Sequence, residues 1–190
     1  MKSDSTTLKG VPIVLLKTQK AWATWLEKNH TKSSGIWLRI AKKGSEIKSL
    51  SYSEGVEVAL CYGWIDGQKE SYDHSSWLQK FTPRGTRSIW SKINREKAQL
   101  LIKSGQMKAA GLAAIENARQ NGRWEAAYDS PSGASVPSDF QAALDKSPAA
   151  QAFFLTINGA NRYAILFRLQ TAKKAETRAK RIQQFISMLE

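Results

Sequence analysis

The 190-residue chain is 42% hydrophobic and 24% charged, a globular composition that excludes a chain disordered throughout. It carries a formal net charge of +13 and a single cysteine, so no intrachain disulfide can form and the fold does not require an oxidising compartment. A surplus that large favours acidic partners (nucleic acid, anionic lipid or a small anion), and it is equally compatible with a solvated basic surface that has no partner.

Residues 1–17 read as a poorly ordered tail running into a short extended piece. Its apolar run, Val11 to Leu16, is interrupted by Pro12 and stops at Lys17, too short for an export signal. No stretch approaches the length of a membrane span, and a cytoplasmic location is expected. Residues 18–29 suit a helix, because Trp22, Trp25 and Leu26 fall at i, i+3 and i+4. Ile36 to Ala41 reads as a strand with Ile36, Leu38 and Ile40 on one face, and Lys42-Lys43-Gly44 is the turn out of it. Ser51-Tyr52-Ser53-Glu54 is a capping box that opens a second helix, and Gly63 supplies its left-handed stop. Trp64–Lys69 and Trp77–Thr82 read as two strands of an antiparallel hairpin, with Tyr72–Ser75 as the turn.

Beyond Pro83 the chain reads as helical. Ser88 or Asn94 is the expected cap of a helix ending near Ser104, and a second helix spans about Lys108 to Gln120. Residues 129–137 form a linker-like loop. Helix restarts at Ser138, Ser147-Pro148 opens another, Ile157-Asn158-Gly159 breaks it, and the last helix runs from about Ala175 to Leu189. The expected fold class is α+β: a small antiparallel sheet with helices in the N-terminal half and an all-helical C-terminal half. The expected division is 1–90 and 91–190.

Three stretches together carry a family resemblance: Leu60-Cys61-Tyr62-Gly63-Trp64-Ile65-Asp66-Gly67; Phe81-Thr82-Pro83-Arg84 with Ser88-Ile89-Trp90-Ser91 and Asn94; and Ala172 through Ile182. They resemble the YdeI/OmpD-associated, or bacteriocin-protection, family from about residue 30 to the C-terminus. The resemblance implies a sheet-containing N-terminal part, loosely similar to the YjbR/CyaY-like group, and a C-terminal helical module. It implies no mechanism. It also suggests a link to outer-membrane porins, against which the missing export signal argues.

From Gln79 to Lys97 six basic residues (Lys80, Arg84, Arg87, Lys92, Arg95 and Lys97) face one acid, Glu96, with Trp77, Phe81 and Trp90 interleaved. Arginine beside aromatic rings suits an anionic ligand or a nucleic-acid strand. Ser88, Ser91 and Asn94 lie near a helix start, where free N–H groups favour an anion. The competing reading packs Trp90 into the core and pairs the arginines with carboxylates. Asp66, flanked by Gly63 and Gly67, is either a ligand contact or the partner of Arg84 or Arg87. The candidate ligand set is therefore Trp64, Asp66, Arg84, Arg87, Ser88, Trp90 and Asn94. A second candidate surface, for nucleic acid or another anion, joins Lys92 and Arg95 to Lys173, Lys174, Arg178, Lys180 and Arg181 on a basic amphipathic helix, which a solvated helix face would explain equally. Cys61, near a helix C-terminus, is expected to be structural. Asp73-His74-Ser75 has the residue types of a triad, but three consecutive residues do not point at one reacting atom. No catalytic set, cofactor motif or metal-ligand spacing is present in the sequence. The expected activity is binding without catalysis, of an anionic small molecule or, alternatively, of nucleic acid.

Overall fold

The computed structural model describes residues 7–190; of residues 1–17, expected as a poorly ordered tail running into a short extended piece, 1–6 lie outside the described residues. The chain forms two compact units. One comprises the residues up to Ser88 together with Asn94–Trp124; the other comprises Ile89–Ile93 and Glu125–Glu190.

The first unit is built on five strands: β1 (Thr7–Leu8), β2 (Val11–Val14), β3 (Ile36–Ala41), β4 (Trp64–Ser71) and β5 (Ser76–Pro83), in the order β1-β2-β3-β5-β4. The sheet is mixed, a correction to the antiparallel expectation. β2 pairs parallel with β3, Ile13 opposite Trp37, because helix α1 (Gln19–Asn29) carries the chain back between them. The remaining pairs are antiparallel, including the expected β4–β5 hairpin. β1 and β2 close through Lys9 and Gly10, both with positive φ (51° and 73°), the geometry of a two-residue hairpin turn. Lys9 then reaches Glu70 on β4 at 3.1 Å, so the sheet is curled enough to bring its two edges together.

Helices α1 and α2 (Tyr52–Cys61) cover one face. Thr18 caps α1, and Ser51 and Glu54 form both halves of the capping box on α2. Trp22, at 0% exposure, stacks on Trp25, meets Trp64 and Phe81 edge-on, and donates its indole N–H to the Gly55 carbonyl at 3.0 Å. β3 is buried on both faces: Ile36 and Leu38 lie in the helix-covered core, while Trp37 donates to the Leu8 carbonyl. Helices α3 (Lys92–Lys103) and α4 (Ala109–Gln120) follow the sheet. Neither Ser88 nor Asn94 caps α3. The helix starts at Lys92, Ser88 lies in a turn with Gly85, and Asn94 is already inside the first turn. The N-terminus of α4 meets the C-terminus of α2, where the Lys108 N–H donates to the Cys61 carbonyl at 3.2 Å. Gly63 ends α2 in the left-handed region (φ 69°), as its position implies.

The loop between β4 and β5 is organised by Asp73. Its Oδ1 accepts from the N–H groups of Ser75 and Ser76 and from both hydroxyls; its Oδ2 accepts from Arg39 at 2.7 Å. Burial pushes this carboxyl up, but the donors from Ser76 and Ser75 outweigh it and hold it at about 2, against an ordinary 3.8. A depressed carboxyl stabilises the fold above its unfolded pKa and loses that contribution as pH falls through the folded one. Urea unfolding of the parent and of Asp73→Ala should therefore differ at neutral pH, with the gap shrinking as pH falls from 3.8 towards about 2. A gap that stays constant over that range would sink the assignment.

The second unit is helical: α5 (Ser138–Leu144), α6 (Pro148–Thr156), α7 (Gly159–Gln170) and α8 (Ala175–Leu189). Ser147 caps α6 with Pro148 at its first position, as read from sequence. The Asn158 break is itself the cap of α7, its side chain accepting from the Asn161 N–H at 2.9 Å. Phe140, Leu144, Phe154, Leu166, Leu169 and Phe185 form the core. Among the described residues beyond Trp90 no strand forms, only an isolated bridge between Ser91 and Tyr128.

Candidate functional site

Pro83 ends β5 opposite Trp64, and the Arg84 N–H donates to the Gly63 carbonyl at 2.9 Å, anchoring the loop that follows to the start of β4. Gly85 and Ser88 close a turn: the Gly85 N–H donates to Ser88 Oγ at 3.1 Å and the Ser88 N–H to the Gly85 carbonyl at 3.0 Å. From beyond α4, Arg123 Nη1 donates to the Thr86 carbonyl at 2.7 Å. Arg123 is in turn oriented by its own N–H, which donates to Asn121 Oδ1. Three arginines thus serve one loop. Arg87 is exposed, while Arg84 and Arg123 are half-buried with guanidinium nitrogens shielded from water. No acid occurs between Arg84 and Arg95. A guanidinium can take a carboxylate through two N–H groups at once, so three arginines on or against one turn make an anion the ligand class to test.

The other predicted residues are placed differently. Trp64 is a core side chain, 1% exposed, donating its indole N–H to the His30 carbonyl at 3.2 Å. Asp66 stands opposite Phe81, and its carboxylate accepts from the Tyr52 hydroxyl at 2.7 Å, a partner on α2 and not an arginine across the hairpin. Trp90 is buried in the second unit's segment, where its carbonyl accepts from the Tyr128 N–H. Asn94 lies in the first turn of α3. Arg84, Arg87 and Ser88 are therefore brought together. Sequence reasoning missed Arg123, whose only signal was its position after the helix-ending Asn121-Gly122.

Four of the seven cations expected on a basic surface make bonds within the protein. Lys92 pairs with Asp129 at 2.5 Å, and that contact holds the Asp129 carboxyl below the usual range. Arg95 donates to the Trp124 carbonyl. Arg178 forks onto Asp139 (2.6 and 2.8 Å) and reaches the Leu169 carbonyl, fastening α8 to α5 and to the end of α7. That fork lowers the Asp139 pKa and raises that of Arg178. Arg181 donates to the Arg168 carbonyl. Lys173, Lys174 and Lys180 are exposed. Cys61 is buried, and burial pushes its thiol up, away from the nucleophilic thiolate.

A family model described as a domain of unknown function, DUF8412, matches residues 14–114, more than half of the chain. The chain belongs to that family. Residues 134–190 match a second model, Bacteriocin-protection, YdeI or OmpD-Associated, so the family read from sequence is present in the C-terminal helical module. Its extent is shorter than expected. Of the three motif stretches, only Ala172–Ile182 lies in that match; the stretches at 60–67 and 81–94 lie in the DUF8412 match. No curated protein and no solved structure matches the chain, and nothing supports the likeness to the YjbR/CyaY-like group. Among the described residues no helix is long and apolar enough to cross a membrane.

Proposed function

We propose that this is a binding protein of the protective type its C-terminal family is named for, acting without catalysis, and that its ligand is a small anion taken at the Arg84–Ser88 turn. The observation that supports this reading is Arg123 fastened to the Thr86 carbonyl, which adds a third guanidinium to a loop that already carries Arg84 and Arg87. The Arg123 guanidinium is already held by the Thr86 carbonyl and the Arg84 backbone by the Gly63 carbonyl, which reduces the ordering left to do when a carboxylate arrives. Trp64, Asp66, Trp90 and Asn94 remain outside this core of the proposal. The reading places the protein in the cytoplasm, where a lone buried thiol is at home.

Benzoate is a suitable probe. A ligand at one hundred times its Kd stabilises the folded state by about 2.7 kcal/mol. Arg87 is exposed, so Arg87→Ala should leave the Tm of the free protein nearly unchanged, within about 0.5 kcal/mol of stability. The same variant should lose the benzoate-dependent rise in Tm. Equal stabilisation of parent and variant would refute the site. Tight binding of a short oligonucleotide at low salt, weakening steeply as salt is added, would move the reading to nucleic acid.

A further inference from the structure

β5 runs from Ser76 to Pro83, so at about 3.3 Å per residue the end of the sheet away from the Arg84–Ser88 turn lies ~23 Å from it. There the loop that leaves β3 meets the β4–β5 hairpin loop. The backbone N–H of Lys42 donates to the Ser75 carbonyl at 2.8 Å, and its ammonium donates to the Asp73 carbonyl at 2.8 Å, which joins the two loops. Between them lies a cleft of about 330 Å³ whose lining includes Lys42, Lys43, Ser45, Glu46, Ile47 and His74. Gly44 turns the chain at φ 81°, and a Cβ there would meet nothing within 4 Å, so the turn leaves the approach open.

The charge balance of this cleft is positive. Lys42 and Lys43 face one lining carboxylate, Glu46. The nearby Asp73 adds little negative charge to the cleft, because its carboxylate is paired with the Arg39 guanidinium at 2.7 Å. The Lys42 ammonium is held in place by one of its three N–H groups, which leaves two to donate. Ser45 Oγ accepts from the Ile47 N–H at 3.1 Å, so its own hydrogen can be given to a ligand. Lysine ammonium groups recognise phosphate as point charges and need no fork geometry. The volume lies at the lower end of small-molecule sites, roughly 300–1,000 Å³. It accommodates a phosphate with a modest organic group attached, for which Ile47 is the apolar wall.

We propose that this cleft is a second binding site, specific for a phosphomonoester, with the phosphate held by Lys42, Lys43 and the Ser45 hydroxyl and the organic group against Ile47. It is independent of the Arg84–Ser88 turn in residues and in ligand chemistry.

The test is a residue-resolved NMR titration of the full chain with phenyl phosphate, with inorganic phosphate and phenol as comparators. Phenyl phosphate should shift the amides of residues 43–47 and 74–75 to saturation. Inorganic phosphate should act on the same amides more weakly, and phenol should leave them in place. Lys43→Ala should weaken phenyl phosphate about tenfold, the loss of one charged hydrogen bond, and Lys43→Arg should keep most of the affinity. Lys43 is exposed, so its variants are expected to fold. Saturation without shifts at these residues, or an affinity untouched by Lys43→Ala, would overturn the site. Equal affinity for inorganic phosphate would overturn the ester as its ligand. Shifts confined to residues 84–88 would count against this cleft while leaving the proposed function standing.

Discussion

Trp22→Ala should destabilise the sheet-containing unit by about 3–5 kcal/mol, the usual cost of removing a large buried aromatic side chain. Three contributions act in the same direction. The side chain is fully buried, so its whole apolar surface returns to water and leaves a cavity between α1 and the sheet. Its ring contacts with Trp25, Trp64 and Phe81 disappear together. The Gly55 carbonyl, buried on α2, loses the indole donor that serves it. Trp22→Phe separates these contributions: it keeps most of the apolar volume but still leaves that carbonyl without its indole partner, which costs about 1–3 kcal/mol. Urea unfolding followed by tryptophan fluorescence gives both values. A loss under about 1 kcal/mol for the alanine variant would mean that the cluster is not the centre of the core.

Gly111→Ala should also destabilise, by about 2 kcal/mol, although helix propensity alone predicts the opposite sign. Alanine in a helix interior is favoured over glycine by about 1 kcal/mol. Here a Cβ would lie 2.5 Å from the Cys61 carbonyl oxygen, 2.7 Å from that of Leu60 and 2.3 Å from the Met107 sulfur. The methionine can move; two backbone carbonyls at the end of α2 cannot without shifting a helix. Overpacking of this kind costs about 1–3 kcal/mol or more, and moving α4 away would also stretch the Lys108–Cys61 bond. Gly159→Ala is the control. A Cβ there meets nothing within 4 Å, so propensity should act alone and the variant should be neutral or slightly stabilised. Stabilisation by Gly111→Ala would show that the two helices are not in close contact.

What could be read from the sequence was written in local chemistry. Ser51 and Glu54, three residues apart, encode their own helix start; Ser147-Pro148 does the same, and Gly63 encodes a stop. The β4–β5 hairpin and β3 follow from side-chain alternation over six or more residues. β1 was hidden and β2 was legible only as a short extended piece, because two and four residues are too few for a period and Lys9-Gly10 lacks the asparagine or aspartate that usually marks such a turn. With that extended piece not assigned to the sheet, its parallel pairing, and so the mixed character of the sheet, went unread. Asn158 misled for the opposite reason: the signal that ends one helix is also the cap of the next.

The candidate site divides along the same line. Arg84, Arg87 and Ser88 are neighbours in sequence and so are neighbours in space. Arg123 is 37 residues from the Thr86 carbonyl it binds, and Tyr52 is 14 residues from Asp66; no spacing rule connects either pair. Trp90 carried an aromatic signal that serves burial. Lys42-Lys43-Gly44 and His74 read separately as two ordinary turns. Only the pairing of β3 with β5, Ala41 opposite Ser76, brings those turns to one place.

The meeting of α2 with α4 bears on the order in which the protein is made. A nascent chain that has released its first 90 residues already contains every strand of the sheet and both covering helices. The Cys61 carbonyl at the end of α2 must then be served by water, because its partner at Lys108 and the glycine that lets α4 approach have not yet emerged. The sheet can pair early in synthesis, but that helix end stays wet until about twenty more residues have emerged.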